Sequence, residues 1–157
     1  MCFLRKNLVV YFAAITLLIM LSCAFTADRR LRFRKYSWID IGRSARSQNK
    51  MIFVLVTGKY CPTSKKMNRV VSEPKVCEFY NNNFVSTTFD AQNPTQYYRA
   101  SNWGVSSIPA LVFLTKNREV VYISQGYQDA NGMISEAKTA LEMNNPAKAK
   151  QKSNGAE

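Results

Sequence analysis

"MIFVLVTGKYCPTSKKM" (residues 51–67) changes its hydrophobic period halfway along. The run Met51 to Thr57 is apolar nearly throughout and rich in β-branched and aromatic residues, the pattern of a strand buried on both faces. Gly58 breaks the run. From Pro62 onward Met67, Val70 and Val71 fall on one side and Lys65, Lys66 and Arg69 on the other, which predicts a helix. Pro62 suits the first helical turn, where its fixed φ helps and its missing N–H costs nothing. Cys61 therefore stands where a buried strand hands over to a helix. Ser64 follows it where the second thiol of a Cys-x-x-Cys redox site would be.

Outward from this turn the chain alternates. Ser37 can cap a short helix carrying Trp38, Ile39, Ile41 and Ala45 at helical spacing. "SEP" (72–74) ends the Pro62 helix and starts another, with Val76 and Tyr80 inward. "FVSTTFD" (84–90) reads as a second strand, "AQNP" as a loop, and a short helix holds Tyr97 and Tyr98. "ALVFLT" (110–115) is a third strand, "KNR" a turn, and "EVVYIS" (119–124) its antiparallel partner. A helix from Met133 to Met143 closes the pattern. Strands and helices in this order predict an α/β domain, a mixed central sheet flanked by helices, over residues 36–143. The tyrosines and tryptophans are expected mostly in its core, Tyr60 and Trp103 excepted. The polar, lysine-rich stretch 144–157 reads as a disordered tail.

The chain has 157 residues, 22 Lys plus Arg against 10 Asp plus Glu, and no histidine. The length suits one domain with a single core. The missing histidine excludes a His-assisted nucleophile, a Ser-His-Asp triad and the usual Cys/His zinc site. At the N-terminus Arg5 and Lys6 precede an apolar run from Leu8 to Phe25, followed by small residues. Residues 1–27 accordingly read as a secretory signal or, over 8–25, as a membrane anchor. "MLSC" resembles a bacterial lipoprotein box only weakly. The basic stretch 28–35, with "RRLRFRK" at 29–35, reads as a solvated linker, with an anionic membrane surface as its alternative partner. No aromatic interleaving or motif points to nucleic acid. Location in the secretory pathway or periplasm is expected.

Four quoted segments carry a family resemblance: "YCPTS" at the turn, "DAQNP" at 90–94, "WGVSSIP" at 103–109 and the late "QGY" with Gly126. In this order and spacing they resemble the thioredoxin superfamily. The short secreted or periplasmic thioredoxin-like proteins are the nearest in kind, and the Cys-Pro-x-Ser site is similar to that of anterior gradient proteins. The resemblance implies a thioredoxin-like fold, Cys61 and Ser64 at the catalytic position, and substrate contacts from Tyr60, Pro62, Thr63, Trp103, Ile108 and Pro109. It also implies a cis Ile108–Pro109 bond, and neither a cofactor nor a metal. Three departures occur together: Leu55 stands where the family has a buried aspartate, Ser86 where it has a strand lysine, and Ser64 where it has the resolving cysteine.

At a helix start Cys61 would face unpaired N–H groups and the positive end of the helix dipole, with Lys59, Lys65 and Lys66 nearby, all favouring thiolate. Ser64 could hydrogen-bond the sulfur but not attack a mixed disulfide. The expected activity is thiol–disulfide exchange by a single thiol, acting on thiol- or disulfide-containing client proteins. An external reductant, a small thiol or another thioredoxin, would release the product. The alternative is a redox-inactive, chaperone-like module that binds clients in the cis-proline groove. An inert cysteine and a surface-bound adaptor remain further readings. Cys2 and Cys23 lie in the leader. Cys77 is too far along the next helix to pair with Cys61 and is expected as a buried free thiol.

Overall fold

Ser37 opens the first helix as its place ahead of an apolar period requires. Its hydroxyl oxygen accepts the Asp40 N–H at 3.2 Å, and α1 runs Trp38–Gln48 until Asn49, in the left-handed conformation, stops it. The computed structural model describes residues 30–34 and 37–145. After α1 come β1 (Met51–Thr57), α2 (Pro62–Val70), α3 (Pro74–Asn83), β2 (Phe84–Asp90), α4 (Pro94–Asn102), β3 (Ala110–Leu114), β4 (Val120–Gln125) and α5 (Ala130–Met143). Helices α2, α3 and α4 each begin on a proline, the residue whose absent N–H is harmless there.

The sheet order is β2-β1-β3-β4. β1 and β2 are parallel, from Met51 opposite Phe84 to Thr57 opposite Asp90, the crossover between them being α2 and α3. β1 with β3 and β3 with β4 are antiparallel, with a register shift at Phe113/Leu114. Alternating side chains split the core into two layers. Phe53, Leu55, Leu111 and Phe113 meet Met67, Tyr80 and Met133 of α2, α3 and α5. Ile52, Val54, Val56 and Val112 meet Ile41, Ala45 and Ala100 of α1 and α4. Central β1 is buried on both faces, as its unbroken apolar run predicted. The mixed α/β architecture read from the sequence is the one observed.

Tyr80 centres the first layer. It is fully buried, with its ring 4.6 Å from that of Phe53 and 5.3 Å from that of Phe84, and its hydroxyl donates to the Met133 carbonyl at 2.8 Å. Burial raises its pKa, and the nearby Glu136 carboxylate adds to the rise.

Several expectations are corrected. "AQNP" is not all loop, because Asn93 caps α4 through the Gln96 N–H and Pro94 is its first residue. α5 starts at Ala130, before Met133, since the Asp129 carboxylate accepts the Gly132 N–H at 2.7 Å. Tyr97, Tyr98 and Tyr127 are exposed, so much of the tyrosine content lies outside the core, and Ile39 of α1 is exposed too.

The largest correction concerns the basic linker, whose described part, residues 30–34, is docked. Leu31 is buried, Phe33 bridges Ser86 in parallel, and the Arg34 N–H donates to the Ser86 carbonyl at 2.8 Å. Asn81 holds the segment from both sides, accepting the Arg32 N–H at 3.0 Å and donating to the Arg30 carbonyl at 2.9 Å. Among the described residues no helix is long and apolar enough to cross a membrane. The signal or anchor reading of 1–27, Cys2 and Cys23 within it, and the tail beyond 145 lie outside the described residues.

Candidate active site

Gly58 turns the chain out of β1, and Cys61 becomes the N-cap of α2 in an extended conformation, φ −81° and ψ 115°. This aims Sγ over the first helical turn, where the Ser64 N–H donates to it at 3.4 Å. Ser64 is fully buried, and its Oγ accepts the Gly58 N–H at 3.2 Å. Hydrogen bonding from the Ser64 hydroxyl, then from the Ser64 N–H, lowers the Cys61 pKa from the ordinary thiol value. Desolvation opposes them, and the Thr63 backbone and hydroxyl contribute lesser lowering. The sequence expectation that Lys59, Lys65 and Lys66 activate the thiol is therefore corrected. These side chains are exposed, and hydrogen bonds carry the shift.

A pH dependence follows. Thiolate fraction rises with pH, and a lowered pKa moves that rise to lower pH. The midpoint of iodoacetamide alkylation at Cys61 is expected below that of an ordinary thiol, and Ser64→Ala should move it upward by removing the largest favourable bond. An unchanged midpoint in the variant would show that Ser64 does not tune the sulfur.

Opposite the sulfur lies the segment before β3. The Ile108–Pro109 bond is cis, as the resemblance implied, and the Ile108 carbonyl oxygen is 3.9 Å from Cys61 Sγ. Pro109 is buried, and its carbonyl accepts the Gly126 N–H at 2.8 Å, Gly126 having a φ of +96°. Gly58 is packed so closely that a Cβ there would stand 2.6 Å from Ile108 Cδ1.

The remaining sequence-predicted residues divide. Tyr60 is 73% exposed beside Cys61, with the Lys59 ammonium 5.6 Å from its ring centre, while Pro62 is exposed and Thr63 half-buried on the first turn of α2. Trp103 goes elsewhere. It stacks on Phe89 at 5.5 Å and leans on Trp38 at 5.4 Å, joining the α1–α4 layer. Cys77 is a buried thiol outside any disulfide, donating to the Val71 carbonyl at 3.2 Å.

Two contributors escaped the sequence reading. Gly58 supplies the N–H that orients Ser64. Gln125, opposite Ala110 in the sheet, braces the loop before the cis bond, its side-chain oxygen within 2.8–3.2 Å of the backbone nitrogens and hydroxyls of Ser106 and Ser107. Only the "QGY" signal pointed toward it. No group of three or more His, Cys, Asp or Glu able to hold a metal ion occurs among the described residues.

Residues 40–116, just under half of the chain, match a family model described as thioredoxin-like. No curated protein matches the sequence. Solved structures do. A Bacteroides thetaiotaomicron protein described as a disulphide isomerase superposes with a TM-score of 0.64 at 25% identity, over 72% of this chain and 94% of that one. A thioredoxin from Thermus thermophilus gives 0.61 at 22% identity, over 69% and 87%. A disulphide isomerase from Xylella fastidiosa gives 0.57 at 14%, over 70% and 97%. The chain thus has a thioredoxin-like fold, a four-stranded mixed sheet flanked by helices, with Cys61 at its strand-to-helix turn.

Proposed function

We propose that the protein performs thiol–disulfide exchange through Cys61 alone, on client proteins of an exported compartment. The observation that carries this reading is the hydrogen-bonded, partly exposed sulfur at the N-cap of α2, with a buried hydroxyl where a second thiol would stand. The similarity to disulphide isomerases and a thioredoxin supports it.

In the forward step the Cys61 thiolate attacks one sulfur of a client disulfide. That S–S bond breaks, a Cys61–client disulfide forms, and the other client sulfur leaves as a thiolate that takes a proton from water. Cys61 is oxidised and the departing sulfur reduced. Ser64 Oγ cannot displace the client, so a low-molecular-weight thiol or another protein's thiolate must attack the adduct and restore Cys61.

The missing second thiol makes the native protein its own trap. Cells quenched in acid, alkylated and analysed without reductant should show reductant-sensitive adducts of the wild type that vanish in Cys61→Ser. If both proteins run alike, with Cys61 free, exchange fails. The exposed Tyr60 and Tyr127, next in sequence to Cys61 and to the Gly126 that binds the Pro109 carbonyl, would then favour the second reading, client binding without chemistry.

A further inference from the structure

Lys59, Lys65, Lys66 and Arg69 have no part in the hydrogen bonds that activate Cys61, nor in the packing of α2. All four are exposed, and among the described residues none forms an ion pair. Two of them are placed unfavourably: Lys65 and Lys66 follow directly on the first turn of a helix with no acidic residue there, at the end whose dipole repels cations, whereas Arg69 lies in its last turn. No Asp or Glu occurs between Ile41 and Ser72. Segment 104–109, whose Ile108 carbonyl faces the sulfur, and segment 125–127, whose Gly126 N–H is bound by the Pro109 carbonyl, contain no carboxylate either. In sheet register the nearest acid is Asp90, paired with Thr57 at the strand end and accepting the Gln92 N–H. The approach to Cys61 is thus bordered by uncompensated cations and neutral groups.

Resting on the exchange reading, we infer that this cationic rim selects disulfides bearing negative charge next to the reacting sulfurs: acidic peptide segments, or small carboxylate-bearing disulfides. A rim of one sign concentrates oppositely charged partners and speeds their encounter, by about 10-fold or more at low salt. The gain fades as the Debye length falls to about 3 Å near 1 M salt. The step is the one given above, with the Cys61 sulfur displacing one half of the anionic disulfide as its thiolate.

The test is a rate comparison on the full protein. Formation of the Cys61 adduct is followed by mass spectrometry with three probes: oxidised glutathione, which is anionic, hydroxyethyl disulfide, which is neutral, and cystamine, which is cationic. Each rate is divided by that of the same probe with 2-mercaptoethanol, removing intrinsic reactivity. At low salt the normalised rate for oxidised glutathione should exceed that for cystamine by about 10-fold or more, the difference collapsing near 1 M salt. The Lys65→Glu/Lys66→Glu variant should bring the ratio to unity or below. A change in thiolate fraction scales all three probes alike, so the ratio isolates charge selection. Brisk reaction with all three probes at equal normalised rates overturns the inference and leaves exchange standing. Failure of Cys61 to react with any probe overturns both.

Discussion

Ser64→Cys is expected to shorten the lifetime of a Cys61–client adduct by about 100-fold or more without any added thiol. The position decides this. Ser64 sits three residues along the same helix, its N–H on the Cys61 sulfur at 3.4 Å and its Oγ directed back into the turn. A thiol there attacks within one molecule, replacing a bimolecular release by an intramolecular one. The gain should grow with pH, because Leu55 occupies the place where a carboxylate would help deprotonate a buried thiol, and Leu55 is fully buried in the α2–α3–α5 layer. The check is the decay of a preformed adduct with a single-disulfide peptide, followed by mass spectrometry in both proteins. Equal lifetimes would mean that position 64 cannot reach the adduct, and that more than one missing thiol separates this site from a dithiol enzyme.

The second large effect is structural. Tyr80→Ala should destabilise the domain by about 3–5 kcal/mol, the range for removing a buried aromatic ring. The ring touches Phe53, Phe79, Phe84 and Phe113, so its loss opens a cavity bounded by rigid neighbours that cannot collapse into it. Tyr80→Phe keeps the packing and loses only the bond to the Met133 carbonyl, for about 1 kcal/mol. Urea unfolding of both variants separates the contributions. If Tyr80→Ala costs no more than Tyr80→Phe, the hydroxyl rather than the ring ties α3 to α5.

Much of this molecule was legible from local signals. β1 follows its apolar run to the residue, because a strand buried on both faces leaves little freedom in composition, and β2 spans the stretch 84–90 read as a strand. The turn at Cys61 was legible because proline, cysteine and glycine each constrain it chemically. What could not be read depends on distant partners. Gln125 braces Ser106 and Ser107 from another strand, and no nearby residue foretells that. Trp103 is spoken for by Trp38 and Phe89, which only the folded chain brings together. The stretch Arg30 to Arg34 hides a period of two: arginines alternate with Leu31 and Phe33, a half-buried strand pattern that its charge disguises as linker.

The hydrogen bonds to the Cys61 sulfur have a second side, seen through thermodynamic linkage. They lower the pKa in the fold and are absent from the unfolded chain, so deprotonating Cys61 stabilises the domain. That increment is present above the unfolded-state thiol pKa and is lost as pH falls through the folded one. Oxidation removes it too, since a sulfur bound in a disulfide bears no charge for those donors to stabilise. On the proposed exchange reading, this contribution of the fold favours the reduced protein. On that reading a captured client would be held kinetically, by the want of a second thiol, while the hydrogen bonds to the free sulfur favour letting it go.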